Sequence, residues 1–191
     1  IYMIIIFEGL DRVGKSTQIK LLQKHLIDKP THVIHYSAIP GISPEQSKEY
    51  SQNLYRDMFD LMHDASHRGR HLIFDRSHLG EYVYAPIYRD YSGSYVFEIE
   101  QEYLYNPFFK DIILFVLIDE PKNAIAREDG NSFSTDISVK QLEIDKFKKA
   151  FELSHIENKF LININGKSIK DVHNSILTFL TELNILTTYY D

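Results

Sequence analysis

Residues 9 to 16 read Gly-Leu-Asp-Arg-Val-Gly-Lys-Ser, the spacing G-x-x-x-x-G-K-S. They follow the apolar run Met3-Ile4-Ile5-Ile6-Phe7 and precede Ile19, Leu22 and Leu26, which are spaced as one face of a helix. A buried strand that feeds a glycine-containing turn, which then opens a helix, is the context of a phosphate-binding loop. Backbone N–H groups across Gly9, Val13, Gly14 and Thr17 converge on a phosphate, and the helix N-terminus adds the positive end of its dipole. Lys15 is long enough to reach the β and γ phosphates of a nucleotide, and the Ser16 hydroxyl suits Mg²⁺. A second chemical pair closes another apolar run, Leu72-Ile73-Phe74-Asp75-Arg76. A carboxylate at a strand tip beside a phosphate loop can hold a Mg²⁺ shell, and the adjacent guanidinium fork suits a second phosphate.

These residues need a scaffold, and the chain supplies alternating elements. Besides Met3–Phe7, buried strands are expected over His32–Tyr36, His71–Phe74, Ile112–Ile118 and Phe160–Ile164, all short and apolar as strands covered on both faces tend to be. Helical patterns follow Lys15 and run from Pro44 to His67, from Ser138 to Asn158 and from Ser168 to Leu183. In the helix from Ser138 the apolar side reads as Leu142, Phe147, Ala150, Phe151 and Leu153. Ser77–Lys110 reads as two helices broken near Tyr91-Ser92-Gly93-Ser94. Alternating strands and helices imply an α/β fold with a parallel sheet wrapped on both faces, and a ligand outside the carboxyl ends of the strands.

Composition sets outer bounds. The 191 residues suit one α/β domain. Lys and Arg number 21 against 27 Asp and Glu, a net charge of −6, which argues against a nucleic-acid-binding surface. There is no cysteine, as fits a reducing cytoplasm. The N-terminal apolar run is too short for a membrane span and lacks the basic flank of a signal peptide. The Ile, Lys, Asn and Tyr content points to an AT-rich genome, that of a low-GC bacterium or its phage. His63, His67 and His71 are spaced by four, but His71 begins a strand, so they do not share a helix face and are not read as a metal site.

Phe7-Glu8-Gly9-Leu10-Asp11-Arg12-Val13-Gly14-Lys15-Ser16-Thr17-Gln18 closely resembles the opening of thymidylate kinases, F-E-G-x-D-x-x-G-K-S/T-T-Q, and Asp75-Arg76 resembles the pair that ends their third strand. The resemblance implies a three-layer P-loop kinase fold. Its five-stranded parallel sheet has the order 2-3-1-4-5, with helices on both faces and a small lid over about residues 121–137. It also implies transfer of the γ-phosphoryl of ATP, with Mg²⁺, to a deoxynucleoside monophosphate, most closely dTMP, by a homodimer. Lys15 and Ser16 would hold the ATP phosphates and the metal, and Asp75 the metal. Arg76 would hold the acceptor phosphate and Asp11 the acceptor's sugar hydroxyl. Arg12 matches the subgroup with a catalytic arginine inside the loop. In the lid, Arg127 would contact adenine or phosphate, and Asn165-Gly166 resembles a turn lining the adenine pocket.

The acceptor side departs from the family. Its Phe-Pro-x-Arg is replaced by His35-Tyr36-Ser37-Ala38, and its Y-x-x-S-x-x-A-Y by Ser77-His78-Leu79-Gly80-Glu81-Tyr82-Val83-Tyr84. Its F-x-x-N-R segment has a loose counterpart in Tyr50-Ser51-Gln52-Asn53, with Arg56 three residues on. Tyr50, Asn53, Arg56, Glu81 and Tyr84 are therefore the expected acceptor contacts, while Tyr50, Tyr55 and Phe59 stay open as the residue that stacks on the base. Glu81 faces either the pocket or a surface turn, and Arg89, after Pro86-Ile87-Tyr88, is a candidate for the acceptor pocket that spacing alone does not establish. Two other functions compete. A deoxynucleoside kinase would need a general base for a 5′-hydroxyl, and Glu8 is the carboxylate at the end of the first strand. A non-catalytic nucleotide-binding module would more readily have lost Lys15, Ser16 or Asp75, all of which are present.

Overall fold

Ile4–Gly9 (β1) lies at the centre of the sheet because every one of its side chains is buried, as a strand covered on both faces requires. The computed structural model describes residues 2–26, 31–37, 42–127, 130 and 133–186. Along it follow α1 (Lys15–Gln23), β2 (Thr31–His35), α2 (Pro44–Arg68), β3 (His71–Asp75), α3 (His78–Tyr88) and α4 (Val96–Tyr103). A 3₁₀ turn (Pro107–Asp111) leads to β4 (Ile112–Ile118), then α5 (Pro121–Ala126), α6 (Ile137–Leu153), β5 (Asn158–Asn163) and α7 (Ile169–Glu182). The five strands form one all-parallel sheet of order β2-β3-β1-β4-β5. Helices surround it, and the core runs through Phe7, Phe74, Phe115 and Phe147.

Three expectations are corrected. β2 and β5 are the sheet's edges, so they are only partly covered; Val33 is 43% exposed. Helix α6 stops at Leu153 rather than continuing to Asn158. Ser154 turns extended (φ −60°, ψ 137°), and the buried Glu100 carboxylate accepts from Ser154 Oγ at 2.7 Å and from the His155 N–H at 2.6 Å. That frees Asn158 to begin β5. The buried face of α6 also differs from the apolar stripe read in the sequence. Leu142 and Leu153 are 45% and 41% exposed, while Lys140 and Glu143 are buried as an ion pair at 3.0 Å with the Tyr88 hydroxyl on Glu143. A hydrogen-bonded buried pair is tolerated where a lone buried charge is not. Part of the expected lid, residues 128, 129, 131 and 132, lies outside the described residues, as does Ala38.

Two features carry the site. The strands are all parallel, so their carboxyl ends meet on one rim, where β1 runs into the loop of residues 10–14 and β3 into Arg76. Gly9 makes that rim possible. A Cβ at Gly9 would stand 1.9 Å from the Leu117 carbonyl oxygen, in a backbone with φ +129°, so no larger residue fits between β1 and β4.

Candidate active site

The loop between β1 and α1 wraps around its own lysine. Lys15 Nζ donates to the carbonyls of Gly9 at 3.0 Å and Leu10 at 2.6 Å. Its burial, ahead of the neighbouring Arg76 charge, pulls the pKa down from 10.5 to about 8. Gly14 is the N-cap of α1, and Ser16 and Thr17 stand exposed on the helix's first turn, Ser16 Oγ donating to Asp75 Oδ2 at 2.8 Å. The loop hydroxyl and the strand-tip carboxylate are thus adjacent hard oxygen donors. That set fits Mg²⁺, which needs only one or two protein oxygens and fills its octahedron with waters and substrate phosphates. Among the described residues no cluster of three or more His, Cys, Asp or Glu forms a closed metal cage.

Arg76, one residue on, donates to the Asp11 carboxylate. Burial alone would raise the Asp11 pKa, but the Arg76 charge and hydrogen bond outweigh it, so Asp11 is held below the usual carboxylate range. Arg12 and Arg76 both take left-handed backbone, with φ 62° and 78°. Non-glycine residues do so at a cost of about 1 kcal/mol each, and such strain collects at functional sites.

Beside these residues opens a cavity of about 270 Å³. Asp11, Arg76, Glu81 and Tyr84, all expected at the acceptor, line it. Tyr84 Oη is buried there without a hydrogen-bond partner. Glu81 is buried on the cavity wall, so the choice between pocket and surface turn resolves toward the pocket. The helical phase of α2 settles which aromatic reaches it. Ser47, Ser51, Tyr55 and Met58 point inward, so Tyr55 lines the cavity. Phe59 is in the core, and Tyr50 and Asn53 stand exposed outside the lining. Arg56 is also outside it, engaged in a two-pronged pair with Glu102.

Several lining residues were not settled by spacing along the chain. His35 and Tyr36 come from the end of β2, Arg89 from just past α3, and Phe133 from the segment before α6. Phe133 stacks on Tyr88 with ring centroids 4.8 Å apart. Tyr36 stacks on Phe74 at 5.9 Å and meets Tyr55 edge-on at 6.4 Å. Glu8 also lines the cavity, but its Oε1 accepts from Ser77 N (2.7 Å), Ser77 Oγ (2.9 Å) and Gly80 N (2.8 Å). It caps α3 from another strand, supplying the acceptor that the N-cap residue Ser77 does not offer.

On the far side of the loop, Arg127 donates to Asp119, which also accepts from Asn123 Nδ2 at 2.9 Å. Asn165 joins the same group, bonding Asn123 at 3.0 Å and Glu120 at 2.8 Å. Arg127 and Asn165 are therefore brought together past the ends of β4 and β5, apart from the cavity lining.

A 2-3-1-4-5 parallel sheet whose first strand runs into G-x-x-x-x-G-K-S and whose third ends in Asp-Arg defines a P-loop kinase. No family model matches the chain. The thymidylate kinase of Plasmodium falciparum (isolate 3D7) is 30% identical over 198 residues, covering 95% of this chain and 90% of that protein. This chain belongs to the thymidylate kinase family and is a nucleoside monophosphate kinase. The thymidylate kinase of Prosthecochloris aestuarii (strain DSM 271 / SK 413) matches more locally, 33% identical over 92 residues that span 47% of this chain and 39% of that one. Among solved structures, Candida albicans thymidylate kinase superposes with a TM-score of 0.68 at 16% identity, covering 99% of this chain and 95% of its own. The YorR protein of Bacillus subtilis, solved with phosphorylated GDP, superposes at 0.64 and 20% identity, covering 98% and 100%. These two likenesses bear on the fold. No helix among the described residues is long and apolar enough to cross a membrane.

Proposed function

We propose that this enzyme transfers the γ-phosphoryl group of ATP, with Mg²⁺, to dTMP. The observation that carries the reading is the Arg76–Asp11 pair at the junction of the phosphate loop and the cavity. It sets a phosphate-binding fork beside the residues that would hold the donor. Lys15 and Ser16 take the ATP phosphates, Ser16 and Asp75 the metal, and Arg12 the charge that builds on the transferred group. Magnesium, when bound, neutralises the donor phosphates. Arg76 binds the acceptor phosphate, and Asp11 and Tyr84 face its sugar. The acceptor already bears ionised oxygens, so no general base is required and catalysis is positioning and electrostatics. Arg127 and Asn165 belong to the adenine side, and the segment 121–137 to the lid.

The geometry of Glu8 favours this reading over a deoxynucleoside kinase. One of its oxygens already accepts three donors from the start of α3, the pattern of a structural cap. The name of the curated relatives, thymidylate kinase, supports thymidylate as the acceptor. The same reading carries a homodimer, checked by light scattering of the purified protein. The test is ATP consumption with dTMP, dUMP, dCMP, dGMP, dAMP and thymidine as acceptors. Turnover with dTMP and none with thymidine is expected, and activity on the free nucleoside alone would overturn the proposal.

A further inference from the structure

Helices α1 and α7 meet through three polar side chains that the phosphoryl transfer leaves unused: Gln18, His25 and His173. His25 stands exposed just past the end of α1, and His173 is buried in the second turn of α7. Their Nε2 atoms lie 3.3 Å apart, with ring centroids at 5.4 Å and ring planes tilted by 35°.

Gln18 decides which nitrogen of His173 keeps a lone pair. It is buried, and its Nε2 donates to the Ile169 carbonyl at 3.0 Å. That turns the amide oxygen toward His173, whose Nδ1 lies 3.1 Å from it. An amide oxygen only accepts, so Nδ1 carries the proton and the neutral ring keeps its lone pair on Nε2, the atom beside His25. A hydrogen bond of this kind, made by the other ring nitrogen, is what fixes the tautomer and orientation of a metal-ligating histidine.

The spacing suits an ion between the rings. Two nitrogens held at about 2.0–2.1 Å by a tetrahedral ion stand about 3.3–3.4 Å from each other. Without an ion, a His25 Nε2–H donating to His173 Nε2 keeps the same spacing. To ligate, His25 has only to shift its proton to Nδ1, and its exposure leaves that nitrogen to water. The same exposure admits the two waters that complete a tetrahedron around two protein ligands. Imidazole suits Zn²⁺, Cu²⁺ and Ni²⁺, whereas Mg²⁺ takes oxygen donors. Ser16 and Asp75 therefore do not compete for the same ion, and nine residues of chain, about 13 Å of helix, separate Ser16 from His25.

We infer that His25 and His173 form an open two-histidine site for a divalent transition ion of the Zn²⁺ class, oriented by Gln18 and distinct from the Mg²⁺ donors of the phosphate loop. A bound ion ties the end of α1, the helix that opens from the phosphate loop, to α7. The site is independent of which acceptor the enzyme uses.

The test is calorimetric titration of Zn²⁺ into the chelator-treated full chain, wild type and His25→Asn, in excess Mg²⁺. The magnesium occupies the oxygen donors and leaves the imidazoles open. Because His25 is exposed, the variant should melt like the wild type without zinc. The wild type should bind one equivalent that His25→Asn binds about 10- to 100-fold more weakly. At a hundredfold excess over Kd, Zn²⁺ should raise the wild-type melting midpoint by about 5–10 °C and move the variant's by less than about 2 °C. Spectra of the ¹⁵N-histidine-labelled wild type give a reading that needs no variant, since the ring signals of His25 and His173 should shift together at one equivalent. Equal affinity and stoichiometry in the two proteins, shifts at other histidines in place of these two, or no binding by the wild type overturns the inference.

Discussion

Ser16 Oγ donates to Asp75 Oδ2 at 2.8 Å, joining the phosphate loop to the tip of β3 across 59 residues of chain. His35 Nδ1 approaches the same carboxylate oxygen at 3.5 Å. Asp75→Asn keeps the shape of this junction and removes its charge. The Mg²⁺ concentration for half-maximal rate should rise about 10- to 100-fold. Initial rates over a magnesium titration read this directly, and an unchanged curve would remove Asp75 from the metal shell.

Arg12 sits in left-handed backbone at φ 62°, where glycine is at ease and arginine is strained. Arg12→Gly should therefore melt no lower than the wild type. Its turnover should still fall about 10³-fold, as when an arginine is withdrawn from a transferring phosphoryl group. ATP affinity should stay within about threefold. Retention of near-normal turnover would dismiss Arg12 from the chemistry.

Lys15 provides a pH signature. Buried, it titrates at about 8 against 10.5 in the unfolded chain. Between those values the unfolded state binds more protons, so this group's contribution to stability rises with pH across that window. The rise amounts to about 3 kcal/mol, because the cost of burying the ammonium ion, fully present below pH 8, is relieved. Nucleotide phosphates work in the opposite direction by restoring the charge. ATP binding at pH 8.5 should take up a fraction of a proton, seen as a difference in calorimetric heat between two buffers of unequal ionisation enthalpy. Lys15→Met should abolish the uptake. Equal proton uptake in wild type and variant would place the titration elsewhere.

Glu8 is expected to be structural. Glu8→Ala orphans the Ser77 and Gly80 amides at the buried start of α3, and should cost about 2–4 kcal/mol in denaturant unfolding. Glu8→Gln retains an acceptor at that point and should keep nucleoside monophosphate kinase activity within about tenfold. If Glu8→Gln instead abolished turnover while the protein melted normally, Glu8 would be acting on a substrate proton.

The phosphate loop was legible because it is local. Strand, turn and helix are contiguous from Met3 to Gln23, and the G-x-x-x-x-G-K-S spacing already dictates which backbone groups converge. Asp75-Arg76 was legible for the same reason, a polar pair at the end of an apolar run. The alternation of strands with helices determined a parallel sheet, though not which strands would be edges. The acceptor side was decided by tertiary structure. Its wall gathers Glu8, Tyr36, Tyr55, Glu81, Arg89 and Phe133 from five separate segments. Tyr55 turns inward where Tyr50 and Asn53 do not, because the rotation of α2 about its axis is set by packing its Met58, Phe59 and Met62 face into the core. Arg56 is engaged by Glu102, 46 residues away, and α6 ends where Glu100 captures the His155 amide. Spacing along the chain encodes short-range geometry. The partners of long charged side chains and the phase of a helix depend on which distant surfaces the fold presses together.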